Sequence, residues 1–178
     1  MTSSISDIVV VDTNVAIVAN GRNGMSSDCV KRCAEHINLV SKTKTLAVDE
    51  AWEIVKEYMR HLKQEGQPGV GDAFLKWVLT NHANPKRCVK VVIRRCEARG
   101  DPVDYREFPD HEGLAGFDPS DKKFVAVSNA RRDKPDILQG SDSKWLEWCK
   151  SLRECGVRVL FVCEDELREV AAGKAKGQ

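Results

Sequence analysis

The chain has 178 residues, enough for one well-buried core and too few for two ordinary domains, so a single domain is expected. Its formal charge of +1 excludes a global field that would draw the protein to nucleic acid or a membrane, so any polyanion site must be local. No apolar run approaches the ~20 residues that span a bilayer, and "MTSSISD" lacks the basic start and apolar core of a secretory signal, which points to a cytoplasmic protein with no membrane contact. The seven cysteines are odd in number and show no C-x-x-C pairing. Free thiols in a reducing compartment are expected, and packing is favoured over a zinc site for Cys29 and Cys33.

In chain order, Ile8 to Val11 form an apolar run without alternation, the pattern of a strand covered on both faces. A short helix over 13–20 follows, broken by Gly21 and Gly24. Ser26, Ser27 and Asp28 open a helix to about Lys42, and Thr45 to Val48 form a strand. Asp49 and Glu50 then suit the first turn of a helix from Ala51 to about Leu62. "QEGQPGVG" is a loop, and residues 72–80 a further helix. The stretch 81–117 reads as a long loop or insertion, in which "CVKVVIRRC" fits strand or helix.

Ser120 opens a helix through "DKKFVAVSNA". "DILQGSD" is a strand ending in a turn, "SKWLEWCKSLREC" a helix stopped by Gly156, and "VRVLFV" a last strand. Residues 166–178 are expected to be a disordered tail. Strands alternating with helices imply an α/β fold, a three-layer α/β/α domain over 1–165 with a central parallel sheet.

Acidic residues recur where apolar segments end. Asp12 follows the first strand, and Glu53 and Glu57 share a face of the helix after the second. Asp118 and Asp121 stand at a helix entrance, and Asp142 follows the strand 137–139. Each has a plain reading as a helix cap or solvated charge. Together, at the carboxyl edge of a parallel sheet, they repel one another unless a cation neutralises them, and hard oxygen donors suit Mg²⁺ or Mn²⁺. Such an ion can activate water for attack on a phosphodiester without a nucleophilic side chain.

The stretches "VVVDTNV", "DEAWEIVKEYMRHL", "FDPSDKKFVAVSNA" and "ILQGSDSKWL" occur in the order seen in PIN-domain nucleases, and residues 7 to 163 resemble that family, which includes the toxin ribonucleases of bacterial toxin–antitoxin pairs. The resemblance implies a Mg²⁺- or Mn²⁺-dependent endoribonuclease. It assigns Asp12, Glu57, Asp121 and Asp142 as metal-binding catalytic acids, with Glu53 and Asp118 in reserve and Thr13, Asn14 and Ser141 in support. Lys144 stands where the family often has a further acid.

RNA is the implied partner, with single-stranded DNA, an antitoxin or other protein, and a homodimer left open. The phosphate-contact candidates are Lys86, Arg87, Lys90, Arg94, Arg95 and Arg99, then Arg131, Arg132 and Lys134, each weighed against a solvated face. Two rival readings remain: a PIN scaffold that binds RNA or protein without efficient cutting, and a haloacid-dehalogenase-like phosphatase, against which Asn14 argues because an acid is required two residues after the first.

Overall fold

The structure, a computed structural model, describes residues 5–96 and 103–176. Its elements in chain order are β1 (Ile8–Val11), α1 (Thr13–Ala19), α2 (Ser27–Thr43), β2 (Thr45–Asp49), α3 (Glu53–His61), α4 (Val70–Asn81), β3 (Cys88–Val91), β4 (Arg95–Cys96), β5 (Asp104–Tyr105), α5 (Lys122–Ala130), β6 (Asp136–Gln139), α6 (Trp145–Glu154), β7 (Val159–Phe161) and α7 (Glu164–Lys176). A five-stranded parallel sheet runs in the order β3-β2-β1-β6-β7, and β4 and β5 form a small antiparallel ribbon. The α/β expectation holds.

This strand order fixes where a site can form. From β1 the chain steps to β2 and β3 on one side, whereas β6 steps to β7 on the other. Right-handed crossovers therefore put the two sets of helices on opposite faces. On one face α1, α2 and α4 pack together, and on the other α5 lies against β1, β2 and β6. The carboxyl ends of β1 and β6, where the direction of stepping reverses, mark the switch point at which sites collect in such sheets. Val9, Val10 and Val11 of the central strand are fully buried, as their unbroken apolar run requires, and each contributes about 1.5–3 kcal/mol.

Two glycines set close approaches around α1. A Cβ on Gly71 would stand 2.0 Å from the Ala16 carbonyl, so this residue lets α4 cross against α1. A Cβ on Gly140 would lie 3.0 Å from the backbone of Asn14 and Val15, so the loop after β6 can press against the first turn of α1.

Several boundaries differ from the sequence reading. The helix after β2 begins at Glu53, because Asp49 accepts the Glu53 and Ile54 N–H groups and Trp52 adopts a left-handed conformation before it. Of the two alternatives for "CVKVVIRRC", the strand holds for 88–91, which joins the main sheet as β3 within the stretch expected to be a loop or insertion. Asp121, in place of Ser120, occupies the position before α5. Residues 166–176 are helical: Leu167 is fully buried, and Glu166 accepts the Ser26 N–H and hydroxyl, which ties α7 to the start of α2. Cys29 and Cys163 form a disulfide, in contrast with the expected free thiols, with the Cys33 sulfur 3.9 Å from that of Cys163. No helix among the described residues is long and apolar enough to cross a membrane.

Candidate carboxylate centre

Asp12 leaves β1 at the switch point and is buried. Its backbone N–H donates to the Leu138 carbonyl at 2.9 Å, continuing the β1–β6 pairing by one residue. Its carboxylate accepts the Asn14 N–H at 2.8 Å and so caps α1, which fixes the carboxylate's orientation. Tyr58, buried on α3, anchors the same strand end by donating to the Val11 carbonyl.

The other acids arrive from three elements. Glu57 sits on α3, held by the Thr13 hydroxyl at 2.6 Å and by the Lys123 ammonium at 2.5 Å. Asp121 precedes α5 and accepts the indole N–H of the buried Trp145 at 3.1 Å. Asp142 follows the turn after β6, and its carboxylate accepts the Lys144 N–H at 2.9 Å.

The acids act on one another electrostatically. Burial first, then the charge of Asp121, raises the Asp12 carboxyl well above the usual range, with Glu57 adding and the Asn14 N–H and Lys123 opposing. Burial also pushes Asp121 up to about 6, with Asp118 and Asp142 adding and Trp145 and Lys123 opposing. Both carboxyls are thus held in a place that disfavours uncompensated negative charge. Lys123 supplies part of the compensation.

Glu53 and Asp118 have other partners. Arg95 grips Glu53 through two hydrogen bonds at 2.7 and 2.8 Å, and the Tyr105 hydroxyl donates to the same carboxylate. The Arg95 bond lowers the Glu53 carboxyl against the effect of its burial. Asp118 accepts the N–H and hydroxyl of Ser120. Ser141 accepts from the Asn23 amide, which braces the loop that carries Asp142.

Hard oxygen donors with a cation already among them have the chemistry of a divalent-cation site. In this conformation the oxygens are not drawn tightly together. Among the described residues, the donor atoms grouped within 4.8 Å of one another belong to Cys29, Cys33 and Cys163, two of which are joined in the disulfide. Glu57, among these carboxylates, is already paired with Lys123.

The basic candidates divide between two edges of the sheet. Lys86 and Arg87 precede β3 at the amino-terminal edge, where Arg87 donates to the Lys42 carbonyl, and Lys90 is exposed on β3. Arg131 and Arg132 follow α5, whose nine residues carry the chain about 13 Å away from Asp121. Arg131 is paired with Asp133, and the Lys134 ammonium donates to the Cys155 carbonyl. Arg94 binds Glu107 at the carboxyl-terminal edge, where Arg95 meets Glu53, and Arg99 lies outside the described residues.

The sequence does not mark Lys123 or Tyr105 as site groups, and it favours a core position for Trp145 over a base-stacking one. A lysine two residues after an acid at a helix start was the available signal for Lys123; Tyr105 and Trp145 reach the acids only through tertiary packing. Gln139, at the end of β6, accepts the Gly140 N–H, and its buried side-chain nitrogen has no hydrogen-bond partner among the described residues. No family model matches the chain, and comparisons with curated proteins and with solved structures find no match either.

Proposed function

We propose that the protein is a PIN-like, metal-dependent nuclease that hydrolyses phosphodiester bonds in single-stranded RNA. The observation that carries this reading is the gathering of Asp12, Glu57, Asp121 and Asp142 around the sheet's switch point, in the motif order of PIN nucleases, with Lys123 as an internal cation. These four acids would hold Mg²⁺ or Mn²⁺. When bound, such an ion supplies a water of lowered pKa and charge stabilisation for the departing oxygen.

The chain's own contribution is positioning. The Asn14 N–H sets Asp12, the Thr13 hydroxyl sets Glu57, and the Trp145 indole sets Asp121, so each acid is aimed by a second group. Burial of Asp12 beside Asp121 raises its carboxyl and keeps the site demanding of positive charge, so a divalent cation bound there competes with protons for these carboxylates. Lys123, once released from Glu57, remains on the same cleft wall as a monovalent charge for the phosphate.

A second reading, a PIN scaffold that binds RNA without cutting, draws on Lys123 filling the Glu57 position and on Lys144 lying within electrostatic reach of Asp118. One experiment separates the two. End-labelled single-stranded RNA incubated with the protein and Mn²⁺ should be cut to products lacking a cyclic phosphate, because water is the attacking group. Binding without cleavage favours the scaffold, and cyclic phosphate ends contradict water attack.

A further inference from the structure

A cleft of about 470 Å³ opens beside Glu57, between α3 and the loop at Pro119 and Ser120, with Arg95 and Tyr105 on its far wall. Its charges do not cancel. Four cations line it, Lys56, Arg60, Arg95 and Lys123, against two anions, Glu53 and Glu57. Arg95 is committed to Glu53, and Lys123 to Glu57. Lys56 and Arg60 remain, both exposed and neither in an ion pair among the described residues.

Those two residues stand four apart on α3, so they share one face about 6 Å apart along the helix axis. Lys56 adjoins Glu57 in sequence, and Arg60 lies three residues beyond it, about 4.5 Å along the axis. The positive excess thus forms a strip along α3 that borders Glu57. No comparable strip exists in the stretch 86–96, where Arg94 and Arg95 are spent on Glu107 and Glu53, and Lys86 and Arg87 stand at the opposite sheet edge.

The cleft offers little for reading bases. The Tyr105 ring is buried and its hydroxyl engaged, and Trp52 packs on His82. Backbone charge is what the strip can recognise. A recess of this volume, lined by α3 and by the loop at Pro119 and Ser120, has room for a short stretch of a single strand.

We propose that Lys56 and Arg60 form a phosphate-binding strip that seats the backbone of a single-stranded nucleic acid and leads the adjoining phosphodiester to the carboxylates at Glu57. This inference rests on the nuclease reading and deepens it.

The test uses the full chain in EDTA, where cutting is suppressed, with fluorescein-labelled single-stranded RNA, single-stranded DNA of the same sequence and an RNA duplex as probes. Anisotropy is followed across a series of KCl concentrations. The Lys56→Ala, Arg60→Ala double variant should lose about tenfold in affinity for either single strand, and its slope of log affinity against log salt should flatten by about 1.4, or ~0.7 per phosphate contact. A Lys86→Ala, Arg87→Ala variant should match the parent. If the parent binds and the Lys56, Arg60 variant keeps its affinity and slope, the strip is overturned and the nuclease reading stands. A parent that binds no single strand overturns both, and a loss confined to the duplex overturns the preference for unpaired strands.

Discussion

The Lys123 ammonium lies 2.5 Å from the Glu57 carboxylate, both side chains largely buried, and it also donates to the Ser120 carbonyl. An ammonium in that place makes a crevice of carboxylates tolerable without a metal. It also marks the point where positive charge is wanted.

Replacing it exposes that demand. Lys123→Met should destabilise the metal-free protein by about 2–4 kcal/mol, because Glu57 is left without its partner. Mn²⁺ should then recover more stability in the variant than in the parent, as a ligand bound by the folded state alone must. Urea unfolding with and without Mn²⁺ measures both effects. Equal recovery in the two proteins would show that Lys123 and the ion do not share a position.

The two glutamates of α3 should separate by function. Glu57→Gln is expected to slow RNA cleavage by about 100-fold or more, the scale of losing one electrostatic contributor at a reacting centre. Glu53→Gln should cost far less, since that carboxylate is occupied by Arg95 and Tyr105. Initial rates on the same RNA decide it. The reverse order would make Glu53 the ligand.

Much of this site was legible because strand ends announce themselves. The unbroken valines before Asp12 and the helix signals after each strand gave the α/β class and the edge where acids collect. Lys123 was not legible, because a lysine in the first turn of a helix reads as solvated and its burial is decided by how α5 packs on the rest of the fold. Neither was α7, whose Gly173 and alternating alanine and lysine carry a weak helical pattern that Leu167 and the Ser26–Glu166 contacts override. Arg131 and Arg132 follow an acid closely in sequence, yet α5 carries them to the other end of the sheet.

The Cys29–Cys163 disulfide joins positions 134 residues apart, which no local spacing announces. Closing so long a loop should contribute about 2–5 kcal/mol. Cys163→Ser, or full reduction, should lower the urea midpoint accordingly, with a reducing agent having no further effect on the variant. An unchanged midpoint would show that the bridge adds no net stability.

Asp136 supplies the pH dependence. Burial raises its carboxyl, but hydrogen bonds from Arg158 and Ser6 outweigh that and hold it below the usual range. A lowered folded-state pKa gives stability that is fully present above the unfolded value of about 3.9 and is lost as pH falls through the folded value. Asp136→Asn should therefore be less stable than the parent by about 1–3 kcal/mol at pH 7, with the gap closing below pH ~4. Urea unfolding across pH checks the sign. A gap that widens on acidification would contradict it.

The most direct measurement is a Mn²⁺ titration of single-stranded RNA cleavage by the parent and by Asp12→Asn, with circular dichroism confirming that both are folded. A carboxylate-held cation predicts that the parent's rate rises from zero in EDTA to saturation. The variant should need more Mn²⁺ and remain about 100-fold slower or worse at saturation. Cleavage that persists in EDTA, or an Asp12→Asn variant that cuts like the parent, would contradict a catalytic carboxylate centre in this crevice.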